Sequence, residues 1–212
     1  MESQVRGGTR WKRFAVVMVP SVAATAAIGV ALAQGALAAS FSVSGQSFKV
    51  EAEKLEGWGF SQYGAIDEGY TLKGDKVEHP VAVSAFERAK ITNMCQSVVT
   101  PTGIPGLEYV TLKLTAGTEG TKVSAKNLYI DVENLEADAT FRHIDIGVAA
   151  QDASKGPGMA GGEERANPFG FAQQADYAEL TGVQQTAWAT TAGTFKLSDL
   201  KMSLHKGINE CY

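Results

Sequence analysis

The chain has few of the motifs that would reveal a chemistry. Among its 212 residues there is no P-loop, no G-x-G-x-x-G fingerprint, no N-x-S/T sequon and no basic-aromatic strip. These absences remove the sequence signatures of nucleotide and nucleic-acid binding. His143 and Asp145 alternate along a predicted strand, as do Asp131 and Glu133, but a metal site needs three or four converging ligands. We therefore predict no metal and no cofactor.

Helical periodicity is nearly absent after residue 38, whereas apolar and polar residues often alternate. Alternation typical of half-buried strands covers residues 42–52, 109–114, 123–132 and 194–204. The length after residue 38 suits one domain. We predict an all-β fold, an antiparallel β-sandwich or barrel-like domain with bulged strands, and the alternative is a short β-solenoid.

A second pattern, with apolar residues at i, i+2 and i+5, is superimposed on this alternation. It occurs seven times, beginning at Val50, Ala89, Val123, Ile130, Ala139, Ala178 and Phe195, where chance gives about two to three copies. The three-residue step must be absorbed by a bulge or a corner. In five copies the residue before the last apolar position tolerates a left-handed backbone: Asn93, Asn127, Asn134, Gly182 and Asp199.

The first 38 residues predict where the protein works. Four basic residues precede residues 14–37, which carry no charge, and Ala36-Leu37-Ala38 is a small-x-small cleavage pattern. We predict an export signal at 1–38 and an extracytoplasmic β domain at 39–212. The alternative is an uncleaved membrane anchor, because residues 14–33 are about as long as a membrane span.

The charge of the predicted mature domain limits its partners. The first 38 residues carry four basic residues and one acidic residue, so the net charge changes from −4 to −7 when they are removed. Such a domain is not drawn to nucleic acid or to anionic lipid. Membrane contact is expected only through the N-terminal segment, and the expected partners are a lipid, another apolar small molecule or an envelope protein.

The two cysteines, Cys95 and Cys211, are predicted to form a disulfide in an oxidising compartment. The bond would fix the last residues of the sequence, which otherwise fray. In a regular solenoid the two cysteines would lie several coils apart, beyond the limit of about 7 Å between bridged Cα atoms. A real disulfide would therefore favour the compact two-layer fold, unless the C-terminal residues fold back along a solenoid.

The sequence contains only separate parts of a possible hydrolase site. The segment Gly59–Gly64 resembles a G-x-S-x-G nucleophile elbow around Ser61, but it is one residue too long. A serine hydrolase also needs a histidine and an acidic partner. The candidates are His79, His143 and His205, with Asp131 or Asp145. No catalytic residue is assigned, and Ser61 with His143 or His205 is kept as the catalytic hypothesis.

Aromatic residues and glycines are densest between Gly57 and Tyr70. As structure, such a cluster is a turn whose rings cover a sheet edge or fill the core. As function, it is the rim of an apolar-ligand pocket, and the candidate ligand-binding residues are then Trp58, Phe60 and Tyr63.

Two local predictions concern residues 151–178. The glycine-rich run at 156–162 predicts an exposed flexible loop. Asn167-Pro168 is typical of the start of a helix, which predicts a brief helix from Phe171 to Ala178.

Three segments, Asn93–Val98, Ala187–Phe195 and Gly207–Tyr212, carry a resemblance to a known family. They are similar to an uncharacterised family of exported actinobacterial proteins, over most of the chain after residue 38. Members are sometimes labelled cholesterol esterase, so the resemblance implies a secreted lipid-ester hydrolase, although it supplies no site residues. The residues themselves favour an exported, non-catalytic domain of the cell envelope or the secreted space that binds a lipid or another apolar ligand.

Overall fold

The computed structural model describes residues 43–118, 120–159 and 165–212. It has eight β-strands and one short 3-10 helix, Ala150–Asp152. The strands are β1 (Phe48–Tyr70), β2 (Lys76–Ile104), β3 (Leu107–Ala116), β4 (Val123–Arg142), β5 (Asp145–Ala149), β6 (Arg165–Ala166), β7 (Phe171–Lys196) and β8 (Lys201–Lys206). The all-β prediction is confirmed. The predicted signal or anchor at 1–38 lies outside the described residues, among which no helix is long and apolar enough to cross a membrane.

All eight strands belong to one antiparallel sheet. The four long strands close a ring of pairings, in which β1 pairs with β2 and β7, and β4 also pairs with both of them. Strand β3 extends the sheet from the second half of β2, and β8 pairs with β3. The short strands β5 and β6 pair with β7 and β1. The β-solenoid alternative is not realised, because all the named strands are joined by antiparallel ladders.

The long strands carry two rows of residues with a left-handed backbone. In the first row Asp199, Gly117, Asn93 and Gly182 have φ between 50° and 71°. They are neighbours across the sheet, and Glu53 of β1 lies between Asn93 and Gly182. At Glu53 the ladders of β1 with β2 and with β7 each skip one residue pair. The chain accommodates the three-residue step of the apolar pattern in this row.

The second row lies six residues away along β1, β2 and β7. Its left-handed members are Asn127, Gly59 and His143, with φ of 47°, 64° and 52°. Glu87 and Asp176 lie between them at the positions where the ladders skip a pair. Left-handed and ordinary residues therefore alternate across this row.

The apolar pattern locates these residues in the sequence. Among the described residues, the non-glycine residues with positive φ are Asn93, Asn127, His143 and Asp199, and each directly precedes the last apolar position of a copy. The predicted left-handed backbone is confirmed at Asn93, Asn127 and Asp199. His143 is also left-handed, but the prediction did not include it. At Asn134 the prediction is wrong, because β4 instead shifts its register against β7 there.

The two faces of the sheet bury separate clusters. On β4, Leu128 belongs to the larger cluster, the main core, whereas the next residue, Tyr129, packs against the second core. Ala187 and Trp188 divide in the same way on β7. Since successive side chains of a strand point to opposite faces, the two cores lie on opposite faces of the sheet.

The predicted disulfide is confirmed. Cys95 on β2 is bonded to Cys211, and their Cα atoms are 5.9 Å apart. The backbone N–H of Cys211 donates to Ser97 Oγ at 3.1 Å, and Lys113 Nζ donates to the backbone oxygen of Glu210 at 3.2 Å. Residues 207–212 are thus fixed over the face of the sheet that carries Cys95.

Residues 153–159, here called the strap, lie against β1. The described part of the loop predicted at 156–162 has no helix or strand, as expected, but it packs on β1 and is only partly exposed. A Cβ on Gly156 would be 2.6 Å from the Ser61 backbone nitrogen, which shows how closely the strap packs. The backbone N–H groups of Ser154 and Lys155 donate to Gln174 Oε1 at 2.6 and 3.0 Å. Residues 160–164 lie outside the described part of the chain.

The brief helix predicted over residues 171–178 is wrong. These residues are the first part of β7, which pairs with β1 on one side and with β5 or the end of β4 on the other. Asn167 instead stabilises a turn, where its Oδ1 accepts from the Phe169 N–H at 3.0 Å. Long-range pairing on both edges outweighs the local helix-start signal.

Candidate functional site

A cavity of about 180 Å³, here called the core cavity, lies beside the main core. Its walls come from all four long strands of the ring. The lining is mostly aliphatic and aromatic with four polar side chains, namely Leu55, Phe60, Gln62, Ser84, Phe86, Ile130, Leu135, Ala137, Ala139, Phe141, Gln173, Leu180, Val183 and Gln185. A mainly apolar cavity with a few polar groups is the usual form of a small-molecule site.

Three phenylalanines form the aromatic wall of the core cavity. The ring of Phe60 lies 5.3 Å from the ring of Phe86 and 5.3 Å from that of Phe141. Gly57 makes this arrangement possible, because a Cβ there would be 2.2 Å from Phe86 Cδ1. The glycine therefore admits the Phe86 ring.

Amide side chains form the polar wall. Gln173 Nε2 donates to Gln62 Oε1 at 2.5 Å, and Gln62 Nε2 donates to Ser84 Oγ at 2.8 Å. Gln185, which is buried, completes the polar lining. None of the described lining residues is charged. Neutral donors and acceptors can orient a neutral polar group, whereas an ionised group would lie there without a counter-charge.

The mouth of the core cavity lies along the second half of β4. Ala139 is exposed, and Leu135, Ala137 and Phe141 are half-buried. Beyond Val132, β4 no longer pairs with β2, and its ladder continues with β7 alone. A ligand can therefore reach the phenylalanine rings from this edge.

The structure places the predicted ligand-binding residues on different surfaces. Phe60 lines the core cavity. Trp58 contacts Tyr177, with ring centres 5.5 Å apart, and the Arg88 guanidinium lies 5.7 Å from its ring. Tyr63 is buried in the second core. The three side chains are therefore not brought together around one ligand.

Sequence reasoning missed the polar wall of the core cavity. Seven lining residues belong to copies of the i, i+2, i+5 pattern, which places their side chains on one face: Leu55, Ile130, Leu135, Ala139, Phe141, Leu180 and Val183. The pattern thus held the signal for the apolar lining. Gln62 and Gln173 have no local signal, because the long-range pairing of β1 and β7 brings them together, and Gln185 pairs with Val50 further along the same ladder.

The structure does not assemble the catalytic hypothesis around Ser61. Ser61 is fully buried, and its Oγ donates to the Pro157 carbonyl oxygen of the strap at 2.5 Å. His143 Nδ1 lies 2.8 Å from Asp176 Oδ2 on an exposed part of the sheet. His205 Nε2 lies 2.8 Å from Ser203 Oγ on β8. Each of these hydrogen bonds joins its residue to a partner outside the hypothetical triad.

The remaining titratable candidates have structural partners. His79 stacks on Trp188 with ring centres 3.5 Å apart. The Lys155 ammonium, 2.9 Å from Asp145, and the Gln174 amide lower the pKa of the Asp145 carboxyl. Within the described ranges, no group of three or more His, Cys, Asp or Glu residues could hold a metal ion.

Comparison with known proteins gives a family without an activity. No curated protein and no solved structure matches the chain. The model of the family of unknown function DUF6230 matches residues 44–212, which include all eight strands, the disulfide and the core cavity. The chain therefore belongs to the DUF6230 family.

Proposed function

We propose that the protein is an exported, non-catalytic domain of the cell envelope or the secreted space that binds a neutral apolar ligand. The observation that carries the proposal is the core cavity, which combines phenylalanine and aliphatic walls with an uncharged amide wall. The export signal predicted at residues 1–38 supports an extracytoplasmic location, and the disulfide is consistent with an oxidising compartment.

The cavity volume limits what the ligand buries. The 180 Å³ of the core cavity corresponds to about six water molecules at roughly 30 Å³ each, and an apolar cavity of about 150 Å³ holds benzene. A short alkyl chain or one ring fits, and a whole sterol does not. The ligand is therefore a lipid or another amphiphile that inserts one apolar arm and presents a hydroxyl, amide or ester to Gln62 and Gln173.

The alternative, a lipid-ester hydrolase, lacks support from the geometry around Ser61. Ester hydrolysis needs a nucleophile, a base and oxyanion donors held in one arrangement. The buried hydroxyl of Ser61 already donates to the Pro157 carbonyl oxygen of the strap, whereas His143 and His205 are hydrogen-bonded to Asp176 and Ser203. Ester hydrolysis, the activity that the sequence resemblance implies, is therefore assayed as a control in the test below.

The test compares 1-hexanol with hexanoate as probes of the mature domain, followed by NMR titration. Burial of about six methylene or methyl groups at roughly 0.8 kcal/mol each gives close to 5 kcal/mol, which corresponds to a Kd on the order of 0.2 mM. We expect 1-hexanol to bind in the range of about 0.1–1 mM and hexanoate at least tenfold more weakly. Equal affinity for the two probes would contradict the neutral-ligand proposal.

Two variants on β4 show whether binding uses the core cavity. Ala139→Trp places a large ring at the mouth, and we expect it to abolish binding. Thr140→Trp is the matched control, because its side chain lies on the opposite face of the same strand and should leave binding unchanged. Turnover of sterol or short-chain esters, lost in Ser61→Ala, would instead establish the hydrolase.

A further inference from the structure

A second cavity, here called the cleft, lies on the face of the sheet opposite the main core. Its volume is about 340 Å³, within the range of small-molecule sites. It is bounded by residues 45–49, the end of β2, Leu72, β7 and Glu210 of the C-terminal segment. The cleft and the core cavity share no lining residue, so a ligand of the cleft would be independent of the proposed function.

Trp188 is one of the residues that line the cleft. His79 stacks on this ring, with centres 3.5 Å apart and planes 19° apart, and the indole is half-buried. The stacking fixes the plane of the indole. A fixed aromatic face beside polar groups is the element against which the C–H face of a sugar ring packs.

The lining of the cleft also holds two opposite charges in contact. Lys49 Nζ lies 3.2 Å from Glu210 Oε2, and each of the two side chains is 30% exposed to solvent. Lys49 Nζ also donates to the backbone oxygen of Tyr212 at 3.2 Å. The pair offers donors and acceptors without net charge, which favours a ligand with neutral hydroxyl groups over an anion or a cation.

Glu210 is held in place before any ligand arrives. The disulfide at the next residue, Cys211, ties this segment to β2, and Lys113 Nζ donates to the Glu210 backbone oxygen at 3.2 Å. A polar group that is already ordered costs less conformational entropy when it binds a ligand. The fixed C-terminal segment therefore acts as one wall of a preformed site.

From these features we infer that the cleft binds a neutral sugar unit, stacked on Trp188 and hydrogen-bonded through Lys49, Glu210 and Thr186. The size agrees, because the cleft volume of about 340 Å³ equals about eleven waters at roughly 30 Å³ each, and a hexose has about twelve non-hydrogen atoms. Thr186 lines the cleft two residues from Trp188 on the same face of β7.

The test uses tryptophan fluorescence of the disulfide-intact mature domain. After residue 38 the only tryptophans are Trp58 and Trp188, so Trp58→Phe leaves Trp188 as the single reporter. The probes are glucose, galactose, mannose and N-acetylglucosamine. We expect at least one of them to change the Trp188 emission with a Kd of about 1 mM or tighter.

Variants separate recognition from folding. We expect Trp188→Ala to weaken binding at least tenfold in calorimetry, and Trp58→Phe to leave it unchanged. Should Trp188→Ala not fold, Thr186→Val and Glu210→Gln, at partly exposed positions, are expected to weaken binding several-fold with an unaltered melting temperature. No response to any of the four sugars, or binding unaffected by these variants, would overturn the inference. Ala139→Trp in the core cavity should leave sugar binding intact.

Discussion

The left-handed corner at Asn127 gives a stability prediction that depends on backbone geometry alone. Asn127 has φ of 47°, and this conformation costs a residue with a Cβ roughly 1–2 kcal/mol. Asparagine offsets part of that cost, because its short polar side chain can hydrogen-bond locally. We expect Asn127→Ala to lower the free energy of unfolding by about 1 kcal/mol, and hence the melting temperature by roughly 2–4 °C for a domain of this size.

Asn134 supplies the matched control. It is the same residue type at the same position of the apolar pattern, but its φ is not positive. We expect Asn134→Ala to change the free energy of unfolding by no more than about 0.5 kcal/mol. Asn127→Gly should also stay within about 0.5 kcal/mol, because relief of the backbone offsets the added freedom of the unfolded chain. Urea unfolding with the disulfide intact measures all three. An Asn127→Ala variant no less stable than Asn134→Ala would refute the reasoning.

Two further predictions concern stability. Cys211→Ser removes a bond between residues 116 positions apart. We expect the free energy of unfolding to fall by about 2–5 kcal/mol, where the upper end is the value from the chain-entropy model. A loss below about 1 kcal/mol in urea unfolding would contradict this. Burial raises the pKa of Asp67, opposed by the charge of His79. The protonated form therefore stabilises the fold at low pH, and this contribution is lost as the pH rises through the raised pKa. Asp67→Asn should accordingly gain melting temperature over the parent as the pH rises above about 4, the usual pKa of an aspartate. A pH-independent difference would exclude this cause.

The sequence was sufficient for the fold class because its signals are periodic. Alternation predicts strands, and a three-residue step in that alternation requires a corner whatever the partner strand is. Asn93, Asn127 and Asp199 could therefore be predicted as corners, since their residue types tolerate the backbone. His143 lies at the same position of a copy, but its residue type did not mark it as a left-handed corner.

The site was less predictable because it depends on which strands meet. Phe60 and Phe86 are 26 positions apart, and the pairing of β1 with β2 makes them neighbours. Gln62 and Gln173 meet through the pairing of β1 with β7. In the sequence, Trp58, Phe60 and Tyr63 form one aromatic cluster, yet the Gly59 corner and strand alternation send them to separate surfaces. Proximity along the chain was a poor guide to proximity in the site.

The most direct test of the central claim locates a bound neutral amphiphile. Intermolecular NOEs between 1-hexanol and the mature domain would report which side chains surround the alkyl chain. We predict contacts from the terminal methyl to the rings of Phe60, Phe86 and Phe141, with the hydroxyl near the Gln62 and Gln173 amides, and loss of all of them in Ala139→Trp. Contacts confined to exposed residues outside the core cavity, or none at saturating 1-hexanol, would contradict the account.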